Sequence, residues 1–163
     1  MSILGLRTVV YHTPDLAAAK AKGPVYIRLG KKGEPVFHKK PPAFKLGQGL
    51  VVRPGKTVCL VSTGNMLPLA METADMLLNK KIPAQVVSFH TVKPLDQALL
   101  TKLFKTFKVV ATVEEHSILG GLGDSVAEWL ADQRSVKARL IRFGTEDRFL
   151  HEAGEQEHAR ECY

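Results

Sequence analysis

The sequence has few cysteines, and nothing about them indicates a disulfide framework. Cys59 lies inside an apolar stretch, and Cys162 is the penultimate of the 163 residues. Small secreted domains that depend on disulfides carry more cysteines at regular spacings. Because only their even number suggests a bridge, we predict two reduced thiols.

The sequence also lacks any long apolar run. No stretch approaches the roughly 20 residues that a membrane-spanning helix requires. The first residues show no basic segment followed by an apolar segment and a small-residue cleavage site. The sequence therefore predicts a cytoplasmic protein without a membrane partner.

The formal net charge of +7 is concentrated in one stretch rich in Gly and Pro. Such a charge fits a nucleic-acid binder or a site for anionic metabolites. No aromatic platform for base stacking is interleaved with the lysines, so we expect no nucleic-acid partner. A solvated linker and a phosphate-binding patch both remain open as explanations of the clustered lysines, Lys31, Lys32, Lys39, Lys40 and Lys45.

From residue 49 onward, apolar runs typical of strands alternate with segments of helical spacing. The unbroken apolar run at 57–61 is typical of a strand buried on both faces of a sheet. Strands separated by helices in this way indicate right-handed βαβ units. The sequence predicts an α/β fold, a three-layer sandwich with a mostly parallel sheet of about five strands. The predicted strands are 49–53, 57–61, 82–89, 108–113 and 138–143, and the predicted helices are 66–78, 96–104 and 125–131.

The first 42 residues resemble the end of a larger domain. Two short strands, at 6–11 and 25–29, and a short helix at 15–20 cannot close a core on their own. Residues 31–42 are then rich in Gly, Pro and Lys. This composition predicts an inter-domain linker.

Polar residues and glycines follow the third buried strand directly. Glu114, Glu115 and His116 end its apolar run, and a turn from Gly120 to Gly123 leads into the next predicted helix. In open α/β sheets, ligands and partner surfaces meet the fold at the carboxyl ends of the strands. This stretch is therefore the candidate functional site.

Several kinds of chemistry fit this stretch. Backbone N–H groups of the glycine turn would bind an anion at the helix N-terminus. Glu114, Glu115 and His116 would form a general acid/base group, or half of a metal site that still needs ligands from elsewhere. A tight turn and a polar interface are the structural alternatives, and the helix dipole alone favours carboxylates here.

Two further residues stand at the ends of predicted strands. His90 follows the second strand of the regular region and would lie at the same edge of the sheet as His116. Arg28 lies near the end of the strand at 25–29, where its guanidinium group would bind a phosphate or a carboxylate in a bidentate manner. A structural salt bridge of Arg28 fits the sequence equally well.

Three common site motifs are absent. Val126 stands where a dinucleotide fingerprint requires its third glycine. The full Gly-x-x-x-x-Gly-Lys-Ser/Thr pattern of a P-loop does not occur. Ser62 lacks the Gly-x-Ser-x-Gly frame of a nucleophile elbow, and the sequence Ser62-Thr63-Gly64-Asn65 instead predicts a helix N-cap turn.

Four blocks of the sequence occur in the order in which transketolases carry them. The chain resembles the C-terminal section of a transketolase. Deoxyxylulose-phosphate synthases and the β subunits of 2-oxo-acid dehydrogenases are close relatives of that family. The four blocks are Gly23 to Gly30, Val61 to Gly64, Thr91 to Asp96 and Val113 to Gly123.

This resemblance implies three α/β domains in the intact enzyme, two of which hold thiamine diphosphate together with Mg. Residues 1–30 would be a remnant of the pyrimidine-binding domain, residues 31–42 the linker and residues 43–163 the transketolase C-terminal domain. The Gly-Asp-Gly motif that anchors metal and diphosphate in the family is absent here, as is the family's pyrimidine-activating glutamate. We therefore expect this chain alone to be inactive and to bind neither cofactor.

The resemblance also implies transfer of a two-carbon ketol unit between sugar phosphates in the intact enzyme. The expected partners are the missing N-terminal portion and a second copy of the chain, and the expected role here is dimerisation and domain assembly. Arg28 stands in a place similar to that of an arginine that contacts the sugar phosphate in the family. No catalytic side chain is assigned to the C-terminal domain.

A second hypothesis comes from a different class of protein. The chain would then be a freestanding α/β interaction or anion-binding regulatory module, with its site at the edge formed by His90, His116 and Gly121. The candidates for an anion or interface site under either hypothesis are His90, His116, Gly120, Gly121 and Gly123.

Overall fold

The structure is a computed structural model that describes residues 7–10, 20–28, 44–149, 151, 154, 155 and 158, with the backbone alone for 7–10. The predicted helix at 15–20 and the predicted linker at 31–42 lie largely or wholly outside these residues. Within the described part of the chain, no helix is long and apolar enough to cross a membrane.

The described residues form eight strands and three α-helices. The helices are α1 (Leu67–Asn79), α2 (Gln97–Thr106) and α3 (Leu122–Ala131). A short 3₁₀ helix, Gly64–Met66, precedes α1. The strands are β1 (Arg7–Val10), β2 (Val25–Arg28), β3 (Leu50–Arg53), β4 (Val58–Ser62), β5 (Ala84–Ser88), β6 (Thr91–Lys93), β7 (Val109–Ser117) and β8 (Arg139–Thr145).

Five of the strands form one sheet in the order β3-β5-β4-β7-β8. All neighbours in this sheet run parallel except β3, which is antiparallel to β5. The prediction of a mostly parallel, five-stranded sheet is therefore confirmed. The central strand β4 is buried along almost its whole length, as its unbroken apolar sequence predicted.

Helices cover both faces of this sheet and complete the three predicted layers. One face packs against α1 through a cluster of Leu60, Leu67, Ala70, Ala74, Ala84, Val86 and Ala111. The opposite face packs against α2 and α3, where the rings of Phe104 and Trp129 lie 5.5 Å apart. Strand residues alternate between the two clusters because successive side chains of a strand point to opposite faces.

The helix α2 begins where the sequence predicted it. Asp96 is its N-cap, and its Oδ1 accepts a hydrogen bond of 2.9 Å from the N–H of Leu99. Its Oδ2 accepts a second one, also 2.9 Å, from the N–H of Gly49, which precedes β3. One carboxylate therefore caps the helix and fastens the segment that leads into the sheet.

Two boundaries at the candidate site differ from the prediction. The strand β7 does not end at 113 but continues through Glu114, Glu115 and His116, because β8 pairs with it as far as Ser117 and Thr145. The helix α3 begins at Leu122 rather than at 125. Helix and strand are consequently joined by a shorter turn than the sequence indicated.

The sequence did not indicate β6, which belongs to a second sheet in the order β2-β1-β6. β6 has only three residues and is followed by Pro94, so its pattern resembles a loop. It runs antiparallel to β1, while β1 and β2 are parallel to each other. The predicted N-terminal strands are therefore joined to the larger part of the chain through β6.

Candidate functional site at the carboxyl edge of the sheet

The side chain of Glu114 lies at the N-terminus of α3. Glu114 is 4% exposed. Its Oε2 accepts a 2.7 Å hydrogen bond from the N–H of Leu122, and its Oε1 accepts another, also 2.7 Å, from the N–H of Gly123. These N–H groups belong to the first turn of the helix, which has no intrahelical partners for them. Glu114 thus caps α3 from a neighbouring strand.

Two further N–H groups of the turn also bond within the chain. Asp124 Oδ2 accepts a 3.0 Å hydrogen bond from the N–H of Gly120, and the Ser117 hydroxyl accepts one from Leu119. The guanidinium group of Arg142, on β8, donates to the carbonyl of Ile118 at 3.1 Å and contacts the Asp124 carboxylate at 3.3 Å. Side chains of the protein itself therefore bind polar groups of the turn.

Two of the glycines leave the space that the Glu114 carboxylate occupies. A Cβ atom at Gly121 would overlap this carboxylate, although the φ of −91° at Gly121 suits any residue. A Cβ at Gly123 would lie 2.8 Å from Thr112 Oγ1 and 3.0 Å from Glu114 Oε1. Gly120 differs, because its φ is +78° and the space around it is open. Gly121 and Gly123 are hence required for close packing, whereas Gly120 is required for its backbone conformation.

Burial raises the pKa of Glu114 above its ordinary value, and the two backbone hydrogen bonds oppose this shift. A carboxylate between two amides at a helix N-terminus occupies the position that an external anion would take. An external anion at this turn would have to compete with Glu114 for the amides of Leu122 and Gly123, and with Asp124 for the amide of Gly120. The geometry favours the tight-turn alternative for these three glycines.

His90 lies in the interior rather than on a ligand-facing edge. It is 3% exposed, and its ring packs on that of Phe44 with 4.2 Å between the centroids. Its Nδ1 lies 2.9 Å from the hydroxyl oxygen of Thr91, and its Nε2 has no hydrogen-bond partner among the described residues. Burial lowers the pKa of His90 to about 4. His90 is accordingly neutral at neutral pH.

His116, by contrast, is exposed near the end of β7, and its Nδ1 lies 2.8 Å from the carbonyl oxygen of Ser117. The strand β4 lies between β5, which leads to His90, and β7, which carries His116. The structure therefore does not bring the two histidines together on one exposed surface. His116 lies next to Glu115, at the end of the sheet that approaches β2.

Arg28 contacts the carboxyl edge across the two sheets. A terminal nitrogen of its guanidinium group donates to the carbonyl oxygen of Glu115 at 3.3 Å. The Glu115 carboxylate accepts a hydrogen bond from the side-chain amide of Asn65, in the 3₁₀ helix after β4. Glu115 consequently links the end of β2 to the ends of β4 and β7.

Three buried hydroxyl groups near this edge have no hydrogen-bond partner among the described residues, namely those of Ser62, Thr63 and Thr112. Thr63 is the N-cap of the 3₁₀ helix, yet its side chain makes no capping bond. The N-cap turn predicted at 62–65 is thus present in the backbone only.

The donor set of the described residues does not fit the metal-bound diphosphate of thiamine diphosphate. The sequence contains no Gly-Asp-Gly motif. Among the described residues, no three His, Cys, Asp or Glu side chains are grouped so that they could hold a metal ion. We therefore derive no chemical step through that cofactor from the residues of this chain.

Sequence reasoning missed three side chains that bond within this site, namely Asn65, Asp124 and Arg142. The signal for Glu114 was present, because an acidic residue ended a strand shortly before a glycine turn and a helix start. Asn65 and Arg142 act through pairings between residues distant in sequence, which no local pattern reveals.

Comparison with known proteins identifies the family. Residues 47–161 match the family model described as transketolase, C-terminal domain. A protein of Methanocaldococcus jannaschii named "Putative transketolase C-terminal section" is 34% identical over 87% of this chain and 45% of its own length. A 6-deoxy-6-sulfo-D-fructose transketolase subunit of a Clostridium species is 38% identical over 86% of this chain and 45% of its own length.

A longer relative and a solved structure agree with this assignment. The 1-deoxy-D-xylulose-5-phosphate synthase of Chlorobium luteolum is 34% identical over 96% of this chain but only 24% of its own length. A split-gene transketolase solved as an inactive β4 tetramer matches with a TM-score of 0.81 and 36% identity, over 87% of this chain and 49% of that one. The chain spans about half, or less, of these relatives.

The family match covers the whole of the five-stranded sheet and its helices. The block from Glu114 to Gly123, which carried the resemblance, is the strand end and glycine turn described above. On this evidence the chain belongs to the transketolase C-terminal domain family.

Proposed function

We propose that this chain is the C-terminal section of a transketolase, which transfers a two-carbon ketol unit between sugar phosphates in the cytoplasm. The observation that carries the proposal is the family match over residues 47–161 together with the fold likeness to a split-gene transketolase. The carbanion chemistry would belong to thiamine diphosphate, held with Mg by the N-terminal portion. This chain alone is expected to be inactive.

We divide the chain into a pyrimidine-domain remnant at 1–30, a linker at 31–42 and a C-terminal domain at 43–163. The small sheet supports this division, since among the described strands β6 is the only one from the rest of the chain that pairs with β1 or β2. Among the described strands β2 lies at the edge of the small sheet, and an edge strand has a row of backbone groups with which a further strand would pair. The missing N-terminal portion is the expected source of that strand.

Within this proposal, the guanidinium group of Arg28 binds the substrate phosphate. The complete enzyme, which contains this chain and the N-terminal portion, forms a homodimer. Arg28 is exposed at the end of β2. Its contact with Glu115 uses one terminal nitrogen of a group that has five N–H donors. Its other N–H groups are able to donate hydrogen bonds to a phosphate oxygen.

The alternative of an anion-binding regulatory module receives less support from the geometry. The amides of Leu122 and Gly123 already bond to Glu114, and Gly120 bonds to Asp124. His90, a member of that proposed site, is 3% exposed. An interaction module that uses other surfaces remains the second candidate.

Assembly with an N-terminal transketolase section tests the proposal. The two polypeptides would be produced together and separated by size-exclusion chromatography with light scattering. We expect one particle that contains both, and separate elution of the two at micromolar concentration would contradict the proposed partner. Each polypeptide run by itself is the control for co-elution by chance.

A further inference from the structure

A second group of cations lies outside the lysine-rich stretch 31–45, at the edge of the five-stranded sheet where its four parallel strands begin. We call this surface the amino edge. The segments that form it are 54–57 at β4, 80–83 at β5, 105–108 at β7 and 132–139 at β8. Each segment carries at least one exposed Lys or Arg side chain. These cations are Lys56, Lys80, Lys81, Lys105, Lys108, Arg134, Lys137 and Arg139.

The amino edge contains almost no negative charge. Asp132 is the only acidic residue in the four segments. Among the described residues, the ion pairs are made by other cations, such as Arg53 with Asp75 and Arg142 with Asp124. The amino edge is therefore a surface with one sign of charge, which attracts anionic molecules.

The ends of the helices account for only part of this pattern. Lys105 lies in the last turn of α2, where the helix dipole favours a cation. Lys56 and Arg139 instead lie at the starts of strands, where no helix ends. Capping of the helices does not explain these two cations.

Lys81 has a backbone conformation that is typical of glycine. Its φ is +64°, just after the end of α1, and its N–H donates to the carbonyl of Leu78 at 2.8 Å. Glycine at this position of a helix end avoids the steric cost that a side chain incurs. The chain carries a positive charge here in spite of that cost, and strained residues of this kind are common at binding sites.

The amino edge is distant from the surfaces that the proposed function uses. The strand β7 separates Lys108 from Glu115, which contacts Arg28, by about 23 Å. A two-fold interface between two copies at the amino edge would place like charges opposite one another. The N-terminal portion beside β2 and a symmetric second copy are thus poor partners for this edge.

We propose that the amino edge is a docking surface for an acidic segment of a further protein. The starts of four neighbouring strands span about 15 Å, so several carboxylates of one extended segment would meet cations along it. A nucleic acid is a less suitable partner. Six of the eight cations are Lys rather than Arg, and no exposed aromatic side chain lies in the four segments.

Fluorescence anisotropy with a labelled peptide in which Glu alternates with Ser tests this docking at low salt. The combined variant Lys81→Gln, Lys108→Gln and Arg139→Gln should weaken binding of the peptide about tenfold, because three charge pairs are lost. High salt should weaken binding to the parent chain in the same direction. No binding of the peptide to the parent chain at low salt would overturn the proposal.

A matched control removes three exposed lysines that lie outside the four segments, by Lys20→Gln, Lys22→Gln and Lys45→Gln. It lowers the net charge by the same amount and should weaken binding by less than about twofold. Equal weakening in both variants would show that the peptide responds to net charge alone, and would overturn the proposal.

The variant Lys81→Gly separates docking from folding. It removes one charge and places glycine at a φ of +64°, which suits glycine. We expect the unfolding temperature not to fall, whereas binding of the peptide should weaken about twofold to threefold. Unchanged binding in this variant would contradict a docking surface that includes the start of β5.

Two further probes decide the class of partner. An RNA oligonucleotide with the same net charge as the peptide, and vesicles that contain phosphatidylserine, would be measured with the same variants. We expect both to bind more weakly than the peptide. Tighter binding of either one, lost in the combined variant, would overturn the assignment to an acidic protein segment. None of these results depends on the ketol transfer proposed above.

Discussion

The carboxylate of Glu114 lies where the side chain of any residue other than glycine at position 121 would begin. This relationship explains why a strand end, an acidic residue and a glycine turn occur together in the sequence. The acidic side chain needs the space to reach the amides of the first turn of α3. The polar groups at this site therefore bond chiefly to one another, and the contact between Arg28 and Glu115 lies next to them.

Removal of the Glu114 carboxylate should strongly destabilise the chain. Glu114→Ala leaves two buried N–H groups without an acceptor, and we expect a loss of about 3 kcal/mol in the free energy of unfolding. Urea denaturation followed by circular dichroism measures the loss. Glu128→Ala, an exposed position on α3, is the matched control and should cost less than about 0.5 kcal/mol. Equal effects of the two variants would refute the capping role of Glu114.

The two adjacent glycines should respond differently to alanine. Gly121→Ala forces a methyl group against the Glu114 carboxylate and should cost about 3 kcal/mol. Gly120→Ala meets no neighbouring atom but places a side chain at a φ of +78°, which should cost about 1 kcal/mol. The same denaturation series compares them. A larger loss for Gly120→Ala than for Gly121→Ala would contradict the packing described here.

His90 should make the stability of the chain depend on pH between about 4 and 6.5. Its pKa is lowered in the folded state from 6.5 to about 4, so the unfolded chain binds more protons in this window. Stability should rise with pH across the window, by up to roughly 3 kcal/mol. Once pH exceeds 6.5, this contribution is constant.

The variant His90→Phe isolates this effect. It keeps an aromatic ring against Phe44 and removes the titrating group. The difference in unfolding free energy between the parent chain and the variant should vary with pH between 4 and 6.5 and be flat above it. A difference that stays constant throughout this range would show that His90 is not buried in its neutral form.

Asp96 should matter much more than a carboxylate in a surface ion pair. Asp96→Ala removes the N-cap of α2 and the bond to Gly49, and we expect a loss of about 2 kcal/mol. Asp75 pairs with Arg53 on the surface, where its side chain is 67% exposed. Asp75→Ala should therefore cost less than about 1 kcal/mol. Thermal unfolding of both variants measures the two losses. A smaller loss for Asp96→Ala than for Asp75→Ala would argue against the role of Asp96 as both helix cap and acceptor for Gly49.

The fold could be predicted from the sequence because its signals are local. The apolar run of β4, the helical spacing of α1 and the Asp96 cap each lie within a few neighbouring residues. The end of β7 could not be predicted in this way, because it depends on pairing with β8, in which Thr145 pairs with Ser117. β6 was not predicted for the same reason, since its partner strand β1 lies more than 80 residues earlier in the chain.

The candidate site was located from the sequence, but its internal contacts were not. A glutamate before a glycine turn is equally compatible with catalysis, metal binding and capping, and only the distances to Leu122 and Gly123 favour capping. His90 was expected at the edge because it follows a strand. Its burial under Phe44 depends on the segment before β3, which no pattern in the sequence connects to it.

The most direct measurement of the proposed function is the rate of ketol transfer between two sugar phosphates, with thiamine diphosphate and Mg present. It would be measured for this chain alone, for an N-terminal transketolase section alone and for the two together. The account predicts activity only when both are present. Transfer by this chain alone, or none by an assembled particle that contains both, would contradict it.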